Sequence, residues 1–301
     1  MASKELKKLV EGIRAAGSFE GDLMTIRKMM GRAPAYPEPE DITWEPVDAA
    51  GVPGEWVVPD DCVPGRAVVY FHGGGYATGT LDSARALFCH LARATRARLL
   101  AVDYRLAPEH PFPAAVDDAI AAYRFAMSAG CTPEATAFCG DSSGGGLTLA
   151  TLVALRDLGE PLPRTAVCIS PWTDLTLSGA SLQANRDGDP MVSASTLGLM
   201  ADAYLGDVDR RSPTASPLFA DLAGLPSLLL QVGSTELLLD DSTRFAERAE
   251  AAGVDVTLEI WEDVVHVWHA FADFLPEARD AIARIGTYVE QQVGDAPRGA
   301  R

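Results

Sequence analysis

From residue 66 onward, short continuously apolar runs alternate with stretches whose apolar positions recur at helical spacing. The runs cover 66–71, 98–104, 135–140, 165–170 and 227–233. Apolar runs without polar alternation predict parallel strands buried on both faces. Val256, Leu258 and Ile260 do alternate with polar neighbours, which predicts a strand nearer the sheet edge. Ahead of the first run, 42–49 and 55–58 flank the turn Gly51-Val52-Pro53-Gly54 and read as an antiparallel hairpin. Helical patterns occupy 83–95, 114–129, 143–158, 240–252 and 276–292. Gly130, Gly159 and Gly253 follow three of them, where a helix end favours a residue tolerant of positive φ. This rhythm predicts an α/β fold, a mostly parallel sheet with helices on both faces. Two stretches break it. Residues 1–36 carry helical patterns with no strand, and 179–211 form a long insert with another helix over 193–204. Both are expected to lie over the carboxyl ends of the strands as a helical cap, where open α/β sheets bind ligands.

Composition narrows the class. A chain of 301 residues with 48% hydrophobic and 22% charged positions is neither disordered nor fibrous. Single α/β domains commonly reach this length, so 1–301 reads as one domain. The 25 basic and 42 acidic side chains give a formal charge of −17, a field that repels phosphate backbones and anionic membranes. Nucleic acid is therefore not an expected partner. The five cysteines (Cys62, Cys89, Cys131, Cys139, Cys168) are odd in number and form no CxxC pair, so at least one thiol is free and a reducing compartment fits. The N-terminal stretch mixes charge and apolar residues without the apolar run of a signal peptide. No stretch approaches the roughly 20 apolar residues of a membrane span. The expected location is the cytoplasm.

The strongest local pattern is Gly140-Asp141-Ser142-Ser143-Gly144, which follows an apolar run and opens a helical one. That context suits a nucleophile elbow: the glycines permit a tight strand-to-helix turn, and the helix N-terminus aims free N–H groups at the atom reacting with Ser142. Alone, G-x-S-x-G is weak, arising in about one chain in eight of this composition. The second pattern, His72-Gly73-Gly74-Gly75-Tyr76, directly follows the run 66–71. An unobstructed glycine run supplies backbone N–H donors to a developing oxyanion, and HGGG is the known partner of the elbow. A Walker or Rossmann phosphate loop would need a Lys-Ser/Thr or a G-x-G-x-x-G, and neither is present. In order, and each after a strand, the two motifs together are far more specific than either alone.

Such an elbow needs an acid and then a histidine downstream. Of five histidines only His266 and His269 follow it. His266 sits in a loop just past the strand around Val256 and is favoured as the base, whereas His269 lies where a helix begins. Their i, i+3 spacing has no third ligand, so no metal is expected. For the acid, Glu236 stands in the loop after 227–233, while Asp240 and Asp241 read as helix-start carboxylates that the dipole favours. Glu236 is the better candidate.

At this point the chain resembles the hormone-sensitive-lipase branch of the α/β-hydrolases in its microbial carboxylesterase form. His72-Gly73-Gly74-Gly75-Tyr76 is similar to that family's HGGG loop, and 103–114 match its DYRLAPEHPFPAA stretch almost letter for letter. Residues 140–145 are similar to its GDSAGG elbow, and Ser170-Pro171-Trp172-Thr173-Asp174-Leu175 and Ser216-Pro217-Leu218 to two further segments. The likeness spans about 44–275; residues 1–36 and 179–211 resemble the family's cap in position only. The resemblance implies an α/β-hydrolase fold and a serine carboxylesterase acting on short- to medium-chain esters. Ser142 is then the nucleophile, Glu236 the acid and His266 the base, with an oxyanion hole from the N–H groups of Gly74, Gly75 and Ser143. Ser143 stands where alanine is commoner, and Glu236 where aspartate is, with Asp240 the alternative acid. No cofactor is implied. The partner expected is a small-molecule ester, and a homodimer is one assembly the chain could form. A lactone hydrolase with the same triad is the nearest enzymatic alternative. A non-catalytic receptor on this fold is the alternative of another class, opposed by the presence of His266.

Overall fold

A computed structural model of the protein describes residues 2–17, 21–30, 36–37 and 39–293. In chain order these form α1 (Lys4–Ala16), α2 (Leu23–Met30), β1 (Ile42–Asp48), β2 (Pro53–Pro59), β3 (Ala67–Phe71), α3 (Leu81–Thr95), β4 (Arg98–Val102), α4 (Ala114–Ser128), β5 (Thr136–Asp141), α5 (Ser143–Asp157), β6 (Thr165–Ile169), α6 (Ser181–Ala184), α7 (Ala194–Leu205), β7 (Ser227–Gly233), α8 (Leu239–Ala251), β8 (Val256–Trp261) and α9 (Pro276–Val293). Each apolar run and each helical pattern read from the sequence is an element with ends within two residues. Gly130, Gly159 and Gly253 sit past their helices at φ of +87°, +72° and +83°. Of the expected cap, residues 1, 18–20 and 31–35 lie outside the described residues.

Eight strands form one sheet in the order β1-β2-β4-β3-β5-β6-β7-β8. The hairpin β1–β2 and the pair β2–β4 are antiparallel, and every pairing from β4 to β8 is parallel. Alternation along β3 shows why its run is apolar throughout. Ala67, Val69 and Phe71 face a core layer with α4, α5 and α8, while Val68 and Tyr70 face the opposite layer with α3 and α9. Phe138 of β5 packs edge-on against Phe71 and Tyr123, with ring centroids 5.6 and 5.1 Å apart. Such pairs add about 0.5–1.5 kcal/mol each beyond the area they bury. β8 is half-exposed at the sheet edge, as its alternating pattern predicts.

The segments without strands attach by specific contacts. Ser3 caps α1, and its N–H and hydroxyl donate to the Glu277 carboxylate at 2.9 and 3.0 Å, joining α1 to the start of α9. Leu6 is buried in the layer that holds α3 and α9. Arg27 of α2 donates from Nε to the Ala77 carbonyl at 2.5 Å, from Nη2 to the Ala107 carbonyl, and from both Nη atoms to Glu109 at 2.6 Å. The insert between β6 and β7 carries α6 and α7. In α7, Tyr204 stacks on Tyr76 with centroids 3.9 Å apart. Met200 lies so close to Gly75 that a Cβ there would overlap its sulfur.

Candidate active site

The adjacent strands β3, β5, β6, β7 and β8 end side by side, and the chain just past each end supplies the site: His72–Tyr76, Ser142, Ser170, Glu236 and His266. Ser142 joins β5 to α5 at φ +54°, ψ −121°, a conformation that costs a β-carbon-bearing residue about 1–3 kcal/mol. Surrounding bonds over-determine it. Ser142 N–H donates to the Ile169 carbonyl at 2.8 Å, and its own carbonyl accepts from Trp172 at 2.9 Å and Gly146 at 3.1 Å. The flanking glycines are required by close approach: a Cβ on Gly140 would overlap the Gly144 carbonyl, and one on Gly144 the Phe71 carbonyl of β3.

His266 Nδ1 lies 2.7 Å from Glu236 Oε2. Glu236 is wholly buried, and its Oε1 accepts from Ser170 Oγ at 2.7 Å and from Gly233 N–H at 2.6 Å. Burial pushes the Glu236 carboxyl up, and the His266 ring and these donors oppose it. Burial also works against a charged His266, but the charge and hydrogen bond of Glu236, helped by Asp189 and Asp141, outweigh it and hold the imidazole above its ordinary value. With a carboxylate at Nδ1, that nitrogen carries the proton, and Nε2 keeps its lone pair.

The glycine loop is held from several sides. Asp141 Oδ1 accepts from Tyr70 Oη at 2.6 Å and from Gly73 N–H at 2.9 Å. Ser143 Oγ accepts from Tyr76 N–H at 3.2 Å. Burial pushes the His72 ring down, so it is neutral and donates from Nδ1 to the Gly73 carbonyl at 2.7 Å while stacking on Tyr104. His72 therefore shapes the loop. The N–H groups of Gly74, Gly75 and Ser143 donate to no acceptor among the described residues. Ser142, His266, Gly74 and Gly75 all line one cavity of about 520 Å³. Its remaining wall is largely apolar: Met29 from α2, Met191, Val192, Leu197 and Met200 from the insert, Leu87 from α3, and Phe271.

The model of the alpha/beta hydrolase fold family matches residues 68–270. A solved esterase of the bacterial hormone-sensitive lipase family superposes with a TM-score of 0.92 and 45% identity, covering 98% of this chain and 100% of that one. The chain belongs to the hormone-sensitive-lipase branch of the α/β-hydrolases. The esterase EstE5, solved after soaking with p-nitrophenyl butyrate, is equally near this hydrolase, with a TM-score of 0.93 and 45% identity over 97% of this chain and 99% of that one. An acetyl-hydrolase of Streptomyces hygroscopicus is 47% identical over 241 residues, 80% of each chain.

In this hydrolase the residues singled out in the sequence converge, except that Asp241 accepts from the N–H groups of Thr173 and Asp174 and that Asp240 and His269 also lie apart. Asp240 is turned away: its carboxylate accepts from Ser181 N–H at 3.0 Å, at the start of α8. His269 is buried, donates from Nε2 to Gln231 Oε1 at 2.6 Å, and is pushed down by burial to about 3. Neither lines the cavity. Motif reading passed over Asp141, although it lies inside the elbow, and Ser170, which the SPWTDL segment contains without marking its role. Nothing local marks Asn185 or Asp189, which also reach the acid loop.

Proposed function

We propose that this hydrolase is a serine carboxylesterase that cleaves short- to medium-chain carboxylic esters through an acyl-enzyme. Ser142 is the nucleophile, His266 the general base, Glu236 the orienting acid, and the N–H groups of Gly74, Gly75 and Ser143 the oxyanion hole. The observation that carries the reading is the 2.7 Å contact of buried Glu236 with His266, whose side chain lines the same cavity as the strained Ser142. Ester hydrolysis is what the printed names of its relatives describe, from acetyl-hydrolase to esterase. The butyrate ester soaked into EstE5 supports the short-acyl end of the range.

The chemistry follows from that arrangement. His266 Nε2 accepts the Ser142 proton as Oγ attacks the ester carbonyl carbon, and the carbonyl electron pair moves onto oxygen. Three backbone N–H groups hold that charge, and removing one donor of this kind typically costs about 10²–10³ in rate. The imidazolium then gives its proton to the leaving alkoxide as the tetrahedral centre collapses. Water, deprotonated by the same ring, attacks the acyl-enzyme and releases the acid. No cofactor enters any step. Residues 1–36 and 179–211 act as a cap whose apolar side chains receive the acyl or alcohol group. The five cysteines, all free thiols, support a reducing, cytoplasmic location. A homodimer is part of the same reading, and the open edge of β8 would allow it.

A fluorophosphonate is expected to label Ser142, with labelling and turnover both abolished in Ser142→Ala. The loss in kcat should be on the order of 10⁴–10⁶. Labelling that persists in Ser142→Ala would move the nucleophile elsewhere.

A further inference from the structure

The insert between β6 and β7 reaches past the cavity wall to the acid itself. Asn185 Nδ2 donates to the Glu236 carbonyl at 2.8 Å and to the Ser234 carbonyl at 3.1 Å. The next N–H along, that of Leu237, donates to Asp189 Oδ2 at 3.0 Å. Two side chains of one short segment thus grip both polar atoms of a single peptide unit, the one joining Glu236 to Leu237. The second Asp189 oxygen, Oδ1, accepts from the N–H groups of Met191 at 2.9 Å and Val192 at 3.0 Å. Met191 and Val192 line the cavity. Asp189 is only 8% exposed, and its carboxylate holds three backbone donors.

We propose that Asn185 and Asp189 are positioning residues for the acid, tying the wall that substrate touches to the carboxylate that orients His266. This rests on the reading of Glu236 and His266 given above. The physical case begins with the length of a glutamate. Its carboxylate is three rotatable bonds from the backbone, so its aim depends on the peptide planes that set the Cα–Cβ direction. On one side Glu236 N–H donates to the Gly233 carbonyl at 3.2 Å, a contact within its own loop. On the other side the plane is held by the insert. A misplacement of about 1 Å between reacting groups can cost about 10²-fold in rate. Asp189 also brings a charge. Three carboxylates bear on the His266 ring: Glu236 of the β7–α8 loop in direct contact at 2.7 Å, and Asp189 of the insert and Asp141 at the end of β5 through their charge. All three favour the imidazolium that forms when Ser142 loses its proton.

Hydrogen bond and charge can be separated experimentally, using kcat, KM and the pH dependence of kcat/KM for p-nitrophenyl butyrate. In Asp189→Asn the amide cannot accept on both sides and the charge is gone. The expected result is a fall in kcat of about 10- to 100-fold with KM little changed, and an acid limb displaced to lower pH. Asn185→Ala should lose kcat to a similar degree with the limb unmoved, because no charge is removed. A purely structural role would lower the melting temperature and leave both kcat per folded molecule and the limb in place, which would overturn the proposal. So would a loss confined to KM. Should Asp189→Asn fail to fold, Asn185→Ala decides alone, and a wild-type kcat there defeats the idea. Glu236→Gln is measured beside them. If it too is near wild type, the assignment of the acid is what fails; if it is crippled while the insert variants are not, only the positioning role fails.

Discussion

Glu236 presents three hydrogen-bond acceptor positions to three donors: Ser170, Gly233 and His266. Asp240, one helical turn on, offers its carboxylate to Ser181 instead. Two carboxylates close in the chain therefore have different partners. Replacing an orienting carboxylate by its amide can cost about 10⁴ in kcat, because the imidazole loses its tautomer and its countercharge. Glu236→Gln is expected to approach that loss while remaining folded. Asp240→Asn should cost about 1 kcal/mol or less in stability and little in kcat. A crippled Asp240→Asn beside a near-normal Glu236→Gln would reverse the assignment. The same contact sets the pH dependence. The proposed base works only when neutral, and Glu236 holds the folded His266 above its ordinary value against the effect of burial. Activity should accordingly fall as pH drops through a midpoint above the unperturbed histidine value of about 6.5. In Glu236→Gln, burial is left with less opposition and the midpoint should move down. A wild-type limb below the ordinary histidine value would contradict this.

At the scale of elements, α2 buries Ile26 in the core and fastens its polar side to the sheet domain through Arg27. Arg27 donates to the Ala77 and Ala107 carbonyls and forks onto Glu109, whose carboxyl it lowers to about 2 through that hydrogen bond. Glu109 is well exposed, so the ion pair itself contributes little stability. The two carbonyls matter more, since Ala77 closes the glycine loop and Met29, two residues past Arg27, lines the cavity. Arg27→Ala should therefore cost about 1 kcal/mol of stability but change the ratio of kcat/KM between octanoate and butyrate esters. Fluorophosphonate labelling of Ser142 should continue. A folded variant with an unaltered chain-length profile would argue that α2 does not shape the acyl site.

For the molecule as a whole, the sheet order brings five strand ends into one row and so gathers groups that are far apart in the chain. Ser142, Glu236 and His266 sit above that row with the insert across them, and each charge in the proposed cycle is met by a side chain or a backbone N–H. A chelator is therefore expected to leave kcat unchanged. Activity lost to a chelator and restored by zinc would overturn the mechanism.

What the sequence determined by itself is what contiguous residues can encode. Apolar period marks strands and helices because it reflects burial on two faces or one, and every run from 66 to 293 became the element its period predicts. The elbow and the glycine loop were legible for a related reason: a strained turn or an exposed N–H needs its glycines beside it in the chain. The carboxylate that meets His266 was only half legible, since Glu236 and Asp240 are close in the chain, and contacts to Ser170 and His266 across neighbouring strands separate them. Asn185, Asp189 and Arg27 could not be read at all. Asn185 and Asp189 are polar residues in a polar stretch and Arg27 is a cation on a mostly apolar helix, and the partner of each lies about fifty residues away. Only the packing of the insert and α2 over the sheet brings such pairs into hydrogen-bonding range, because a hydrogen bond acts over about 3 Å and no local pattern carries that distance.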